Sequence, residues 1–405
     1  MGQLSCAQIE KPDTNLYRLT LDFNKQENKN SFDRSNSFSQ KYEIGKYLKV
    51  GKNPKLDEMW AEKLNSFKVY DEPTRTSSNY RNSLSKPDNI KQFFQDCPLI
   101  TQDYEYYMFR FFIQEKQGFK YYGLIGLPQK YRWGYWKVIT LQKGIMHKKM
   151  DKQISEATYC IKKDINRTLI NDVFKEEAVI DKLDYVLNNL ANLYPKVGYC
   201  QGMNYIAALF LMVSGVQEKE TVCVFAELLD SSFYMFNLLF QDDLPLLFIM
   251  EEIIMKLIQV RLPKVYDHFI QCNISPSIWI SKILLSGFVY LFDLLDCVLF
   301  WDYIFIKGSV LGYTDLIISM VTIHQDALLT KDEADLSSFF NFQEQKVRCA
   351  EDIIKQALLK PIEEKEIRKI MRKTDKKLDL VELFKFFGKE GFEKLYQKFS
   401  NGITK

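Results

Sequence analysis

Three short stretches of this chain bring together side chains whose types and spacing could do chemistry. The first is Gly126-Leu127-Pro128, followed by Arg132 and, four residues on, Trp136. The second runs from Ile161 to Thr168, with Asp164 three residues ahead of Arg167. The third is Tyr199-Cys200-Gln201-Gly202-Met203-Asn204. Taken singly, each has an ordinary reading. An Arg three residues after an Asp makes a helix-surface ion pair. A Gln before a Gly marks a helix end or a turn. An Arg four residues before a Trp stacks on the indole.

Self-contained chemistry is missing elsewhere. There is no Gly-x-x-x-x-Gly-Lys-Ser/Thr loop to cradle phosphates, and no Gly-x-Gly-x-x-Gly follows a strand pattern. No Gly-x-Ser-x-Gly elbow or kinase motif set occurs. Cys160 and Cys200 stand among apolar neighbours without a local base, which reads as inert thiols. The eight cysteines are scattered with no Cys-x-x-Cys spacing, and most are expected to be buried. Only His147, His268 and His324 are present, so no metal site is expected.

The elements that must position these residues follow from composition and periodicity. The 405 residues carry a net charge of +3, 46% hydrophobic and 26% charged residues, as in globular chains and unlike a dedicated nucleic-acid binder. Low counts of Gly (17) and Pro (11) disfavour a turn-rich β fold. Leu183, Val186, Leu187 and Leu190 follow helical spacing. Asp243 and Pro245 predict the cap and first turn of a helix that Pro263 ends, with Leu246, Ile249, Ile253 and Leu257 on one face. Leu56 to Phe67 predicts a short helix. Between Val197 and Gln217 the apolar core is Tyr205 to Val213, which is too short for a membrane span and predicts a buried helix. Asp293 and Asp296 interrupt the apolar stretch from Ile283 to Trp301. The fold class is all-α.

In this order, the three stretches resemble the TBC domain, the catalytic domain of Rab GTPase-activating proteins. Arg132 and Trp136 match the family's RxxxW. Ile161, Asp164 and Arg167 match its IxxDxxR, and Tyr199, Gln201 and Gly202 match its YxQG. Pro263 with His268, the Trp279 helix, and Trp301-Asp302 followed by Gly308 look like later marks of the same family. The resemblance implies a V-shaped, multi-helix RabGAP-TBC domain over residues 118–335. It also implies a GTPase activator that supplies residues in trans to a Rab-family GTPase in its GTP-bound state, regulating vesicle trafficking. Such a protein is not an enzyme by itself and holds no cofactor of its own, since GTP and Mg²⁺ come with the partner. Arg167 is the implied arginine finger, because a guanidinium is always charged and bidentate and suits the developing phosphoryl charge. Gln201 is the implied glutamine finger, able to accept from the attacking water and donate to phosphate. Asp164 would aim Arg167, Arg132 and Trp136 would steady the scaffold, and Ile161, Tyr199 and Gly202 would support the fingers. Two other classes fit the same residues: a Rab-binding scaffold without catalysis, and a membrane-associated helical adaptor.

The flanks read differently. Residues 1–50 form a polar tail of disordered composition, and 51–117 are a linker with pre-domain helices. The stretch Asp71 to Asp88 is rich in Ser, Asn and Arg. Gly2 opens like a myristoylation site, but Cys6 stands where Ser or Thr is usual. Palmitate on Cys6 would complete a two-chain anchor. The extension 336–405 is helical and basic, with Pro361 opening one helix and Asp379 and Glu382 forming a capping box for another. From residue 355 onward, 14 basic and 8 acidic residues leave +6, which suits an anionic membrane surface or a solvated helix pair. No secretory leader is apparent. The expected location is the cytoplasm, with peripheral attachment to endomembranes as the variant that lipidation would bring.

Overall fold

The computed structural model describes residues 54–68, 102–140, 154–168, 177–341 and 350–371. Gly2, Cys6, the tail 1–50, the stretch 71–88 and the Asp379–Glu382 capping box lie outside the described residues. Among those described, every regular element is an α-helix and none is a strand. The chain divides into two compact units, with the division falling at Val138–Ile139.

The first unit holds α1 (Pro54–Lys68), α2 (Asp103–Gln114), α3 (Lys116–Ile125) and most of α4 (Gln129–Thr140). Its centre is aromatic. Trp60 is fully buried, with the rings of Phe119, Tyr122 and Tyr135 edge-on at 5.7–6.3 Å. The indole Nε1 donates to the Gly126 carbonyl at 2.8 Å, so the ring buries its area without orphaning its one donor. Phe119 stacks on Tyr135 at 4.3 Å. Lys137 and Glu105 form a buried ion pair at 2.8 Å, a contact that would be costly to break by removing one partner.

The second unit is built round α7 (Met203–Val213), whose residues are almost all buried. It packs against α5 (Thr158–Ile165), α6 (Glu177–Leu193), α8 (Glu218–Asp230), α12 (Pro276–Ser286) and α13 (Leu294–Lys307). The predicted buried helix is thus present, but it starts only at Met203, because Gly202 takes φ +114 and the residues before it form turns. On α6, Leu183, Val186, Leu187 and Leu190 are buried at the predicted helical spacing. After α9 (Phe236–Phe240) comes α10 (Pro245–Arg261), whose Leu246, Ile249, Ile253 and Leu257 share the buried face. Its cap departs from expectation. Leu244, not Asp243, is the N-cap, and both residues take left-handed φ values. Pro263 does not simply end the helix; it opens α11 (Pro263–Gln271), since a proline is favourable in a first turn. Asp293 caps α13 by accepting from the Leu295 N–H at 3.0 Å, which is how the apolar stretch Ile283 to Trp301 is split in two.

The chain continues through α14 (Ser309–Ile323), α15 (Gln325–Leu329), α16 (Glu333–Asn341), α17 (Ala350–Leu359) and α18 (Glu364–Met371). Pro361 does not open α18, which starts three residues later. Residues 360–362 are instead tied to the helices beneath them. Arg261 donates to the Lys360 and Pro361 carbonyls and pairs with both oxygens of Glu366. Asp315 on α14, 2% exposed, accepts from the Ile362 N–H at 2.6 Å and the Tyr303 hydroxyl at 2.7 Å.

Burial pushes the Asp315 carboxyl up to about 6, although both hydrogen bonds, Lys307 and Arg261 act to lower it. Its folded value lies above the ordinary 3.8, so between the two the native state keeps a proton that the unfolded chain has lost. That contribution favours folding in acid and is lost as pH rises through 6. Asp315→Asn removes the titration while keeping an acceptor for Ile362. Urea melts over a pH series are expected to show the variant gaining on wild type between about pH 4 and 7. A difference constant across that range would contradict the assignment.

Candidate functional site

In the second unit, α5, α6 and α7 pack against one another and bring two of the three stretches together. α5 buries Ile161, Asp164 and Ile165, an i, i+3, i+4 face, and leaves Lys162 and Lys163 outside. Just past its end, a tight turn forms as the Arg167 N–H donates to the Asp164 carbonyl at 3.0 Å. Arg167 therefore projects from the helix end with 59% of its side chain exposed. Its Nη1 lies 3.8 Å from Asp164 Oδ1, a loose pair that holds the guanidinium weakly. The other carboxylate oxygen accepts from the Tyr199 hydroxyl at 2.9 Å. Burial, reinforced by the Asp164 charge, drives the Tyr199 phenol well above its ordinary range, so it stays protonated and keeps donating.

A buried relay connects this turn to the next stretch. The Thr168 hydroxyl donates to the Asp164 carbonyl at 2.7 Å, and Asn204 Nδ2 donates to the Thr168 hydroxyl at 2.7 Å. Asn204 Oδ1 in turn accepts from the Gly202 N–H at 3.0 Å. Thr168 and Asn204 are each 1% exposed. Gln201, immediately before Gly202, is exposed. Two polar side chains thus stand in solvent at the two ends of one internal hydrogen-bonded chain. Thr168 and Asn204 belong to the second and third stretches, but their spacing along the chain assigns neither a role. The available signal was an amide set into an otherwise apolar helix, which must find partners once buried.

Cys200 adjoins the site but offers no nucleophile. Burial and the negative charges of Asp242 and Asp164 raise its thiol to about 11. Cys160 is exposed on α5, contrary to the expectation of an apolar setting, because the helix turns Ile161, Asp164 and Ile165 inward instead. Of the other described cysteines, Cys223 and Cys297 are buried and Cys272 is half-buried.

Arg132 and Trp136 lie in the first unit. Both are buried, and Arg132 Nη2 donates to the Leu127 carbonyl at 2.7 Å. They are interior residues of that unit, which fits a scaffold role.

Residues 129–329 match the family model of the Rab-GTPase-TBC domain. The chain carries a RabGAP-TBC domain. Among proteins similar to the TBC region is the GTPase-activating protein GYP5 of Eremothecium gossypii, 27% identical over 187 residues, covering 45% of this chain and 22% of that protein. Another is the human ecotropic viral integration site 5 protein homolog, 28% identical over 178 residues, covering 42% of this chain and 21% of that protein. The matched part is thus about a fifth of the length of each relative. The crystal structure of the Chlamydomonas flagellar RabGAP TBC domain is similar in fold, with a TM-score of 0.52 at 18% identity, covering 66% of this chain and 94% of that one. The matched TBC region contains the Asp164–Arg167 turn and the Cys200–Met203 turn, while α17 and α18 lie beyond it. No helix among the described residues is long and apolar enough to cross a membrane.

Proposed function

We propose that this chain is an activator of GTP hydrolysis by a Rab-family GTPase, acting on the GTP-bound state. The observation that carries the reading is the pair of exposed side chains, Arg167 and Gln201, on two turns joined by the Asp164–Thr168–Asn204–Gly202 relay. Phosphoryl transfer to water needs positive charge on the developing transition state and a group that orients the water. Arg167 supplies the first, and its loose tie to Asp164 lets it leave for a phosphate oxygen at little cost. Gln201 supplies the second, since its amide can accept from water and donate to phosphate together. Asp164 and Tyr199 act as positioning residues, holding the turn from which Arg167 projects. Mg²⁺ and the nucleotide arrive with the GTPase. The protein would end a vesicle-trafficking step by returning its Rab to the GDP state, working in the cytoplasm or at an endomembrane surface.

The test is single-turnover GTP hydrolysis across a panel of Rab GTPases, with wild type beside Gln201→Ala. One or a few Rabs should be accelerated, and the variant is expected to lose about 10²-fold or more of that rate with affinity nearly kept. Binding of GTP-loaded Rabs without any acceleration would replace this reading with a non-catalytic scaffold. Acceleration that survives the substitution would remove Gln201 from the chemistry.

A further inference from the structure

The loop linking α12 to α13 is held more firmly than a surface connection needs. Gly287 takes φ +60, and a Cβ there would lie 2.8–2.9 Å from Trp301 and Ile206. Phe288 follows at φ +70, a left-handed value that costs a bulky residue about 1–2 kcal/mol. Packing holds it there. Phe288 is buried, stacks on Tyr313 at 5.5 Å and meets Phe300 at 4.6 Å. Trp301 Nε1 donates to the Gly287 carbonyl at 3.1 Å, and the Tyr290 N–H donates to the Ser286 hydroxyl at 3.3 Å. Val289, Leu291 and Phe292 are buried as well. Tyr290 is the one residue of 287–292 turned to solvent, 45% exposed.

That ring packs on the helix turn that follows Gln201. It lies 5.7 Å from the ring of Tyr205, edge to face. Tyr205 is in the first turn of α7, four residues after Gln201; burial raises its phenol, Tyr290 and Asp164 add to the rise, and Arg167 opposes it. The end of α12 also presses on the finger turn, because a Cβ on Gly202 would meet the Leu285 carbonyl. A packed loop thus presents an exposed aromatic ring against the first turn of α7, which follows the Gln201–Gly202 pair directly.

We infer that the Tyr205–Tyr290 pair is a contact surface on which the GTP-loaded GTPase seats, with Tyr290 supplying affinity and not chemistry. The inference rests on the activator reading above. A pre-fixed tyrosine gives large contact area at small entropic cost, the usual make-up of an interface hot spot. The partner face it fits is an apolar patch bordering the nucleotide phosphates, because on the activator reading Gln201, four residues before Tyr205, reaches the phosphate oxygens.

The test is hydrolysis measured over a range of activator concentration, using the full chain and the GTPase accelerated most in the panel. Tyr290→Ala is expected to raise the half-saturating concentration about tenfold or more while the maximal rate stays within about twofold. Tyr290→Phe should keep most of the affinity, since the ring and not the hydroxyl carries the contact. Arg167→Ala should show the opposite pattern. Unchanged half-saturation in Tyr290→Ala overturns the inference, and so does a fall in maximal rate at unchanged half-saturation. If wild type accelerates no GTPase, the activator reading fails by itself. The same variants are then compared for binding to GTPases loaded with a non-hydrolysable GTP analogue. Weaker binding by Tyr290→Ala sustains the surface, whereas equal binding, or none by wild type, removes it.

Discussion

Arg167→Ala is expected to lower the activated rate of GTP hydrolysis by about 10³–10⁵, equivalent to roughly 4–7 kcal/mol of barrier, with little change in affinity for the GTP-loaded partner. The reasoning is differential binding. In the free protein the guanidinium is 59% exposed and meets Asp164 only at 3.8 Å, so truncation removes little that holds the fold. On the proposed mechanism it also removes charge that Arg167 would deliver to the transition state, and losing an interaction made only there lowers the rate and spares binding. Arg167→Lys should recover only part of the loss, because an ammonium cannot reproduce the planar, two-pronged contact. Single-turnover kinetics at saturating activator checks both variants. A rate within a few-fold of wild type for Arg167→Ala would take the finger role away from this residue. A large rise in half-saturating concentration at unchanged maximal rate would make it a docking residue instead.

Gly202→Ala is expected to be the most damaging single-methyl change near the site. The added Cβ would lie 2.5 Å from the Leu285 carbonyl oxygen and 2.8 Å from its carbon, where real Cβ atoms do not go. The obstacle is backbone, which cannot rotate aside, and φ +114 already disfavours any side chain. A loss of about 3–5 kcal/mol in stability follows, in the range diagnostic of strain and overpacking. The Gln201 turn would move with it, so activity should fall even at temperatures where the variant is folded. Gly198→Ala is the internal control. It also sits at positive φ (+60) but has open space around the Cβ position, so only the conformational cost of about 1–2 kcal/mol applies. Urea denaturation of both variants decides the matter. Equal losses at the two positions would mean that the close approach to Leu285 is not what requires a glycine at 202.

Much of this protein was legible in order along the chain. The helical periods of α6 and α10 were readable because a buried helix must place apolar residues three and four apart, and Leu183 to Leu190 and Leu246 to Leu257 do so. The three polar stretches were readable because their residue types recur at family-like spacing. Helix ends were less legible. Asp243 was the better cap by residue type, yet Leu244 occupies the position, because Pro245 takes the first helical position and the residue just before it is the cap. Pro361 suits a first turn, but Arg261 and Asp315 claim the backbone of residues 360–362, and α18 begins only at Glu364.

The all-α class followed from composition and helical period, while the family and the choice of Arg167 and Gln201 followed from the likeness of three ordered stretches to the RabGAP-TBC domain. Their surroundings came only with the folded packing. Asn204 meets Thr168 across 36 residues, Tyr199 meets Asp164 across 35, and Tyr290 meets Tyr205 across 85. Contacts at such separations leave no periodic trace in the chain, because their partners are chosen by how α5, α7 and α12 pack and not by spacing along the backbone.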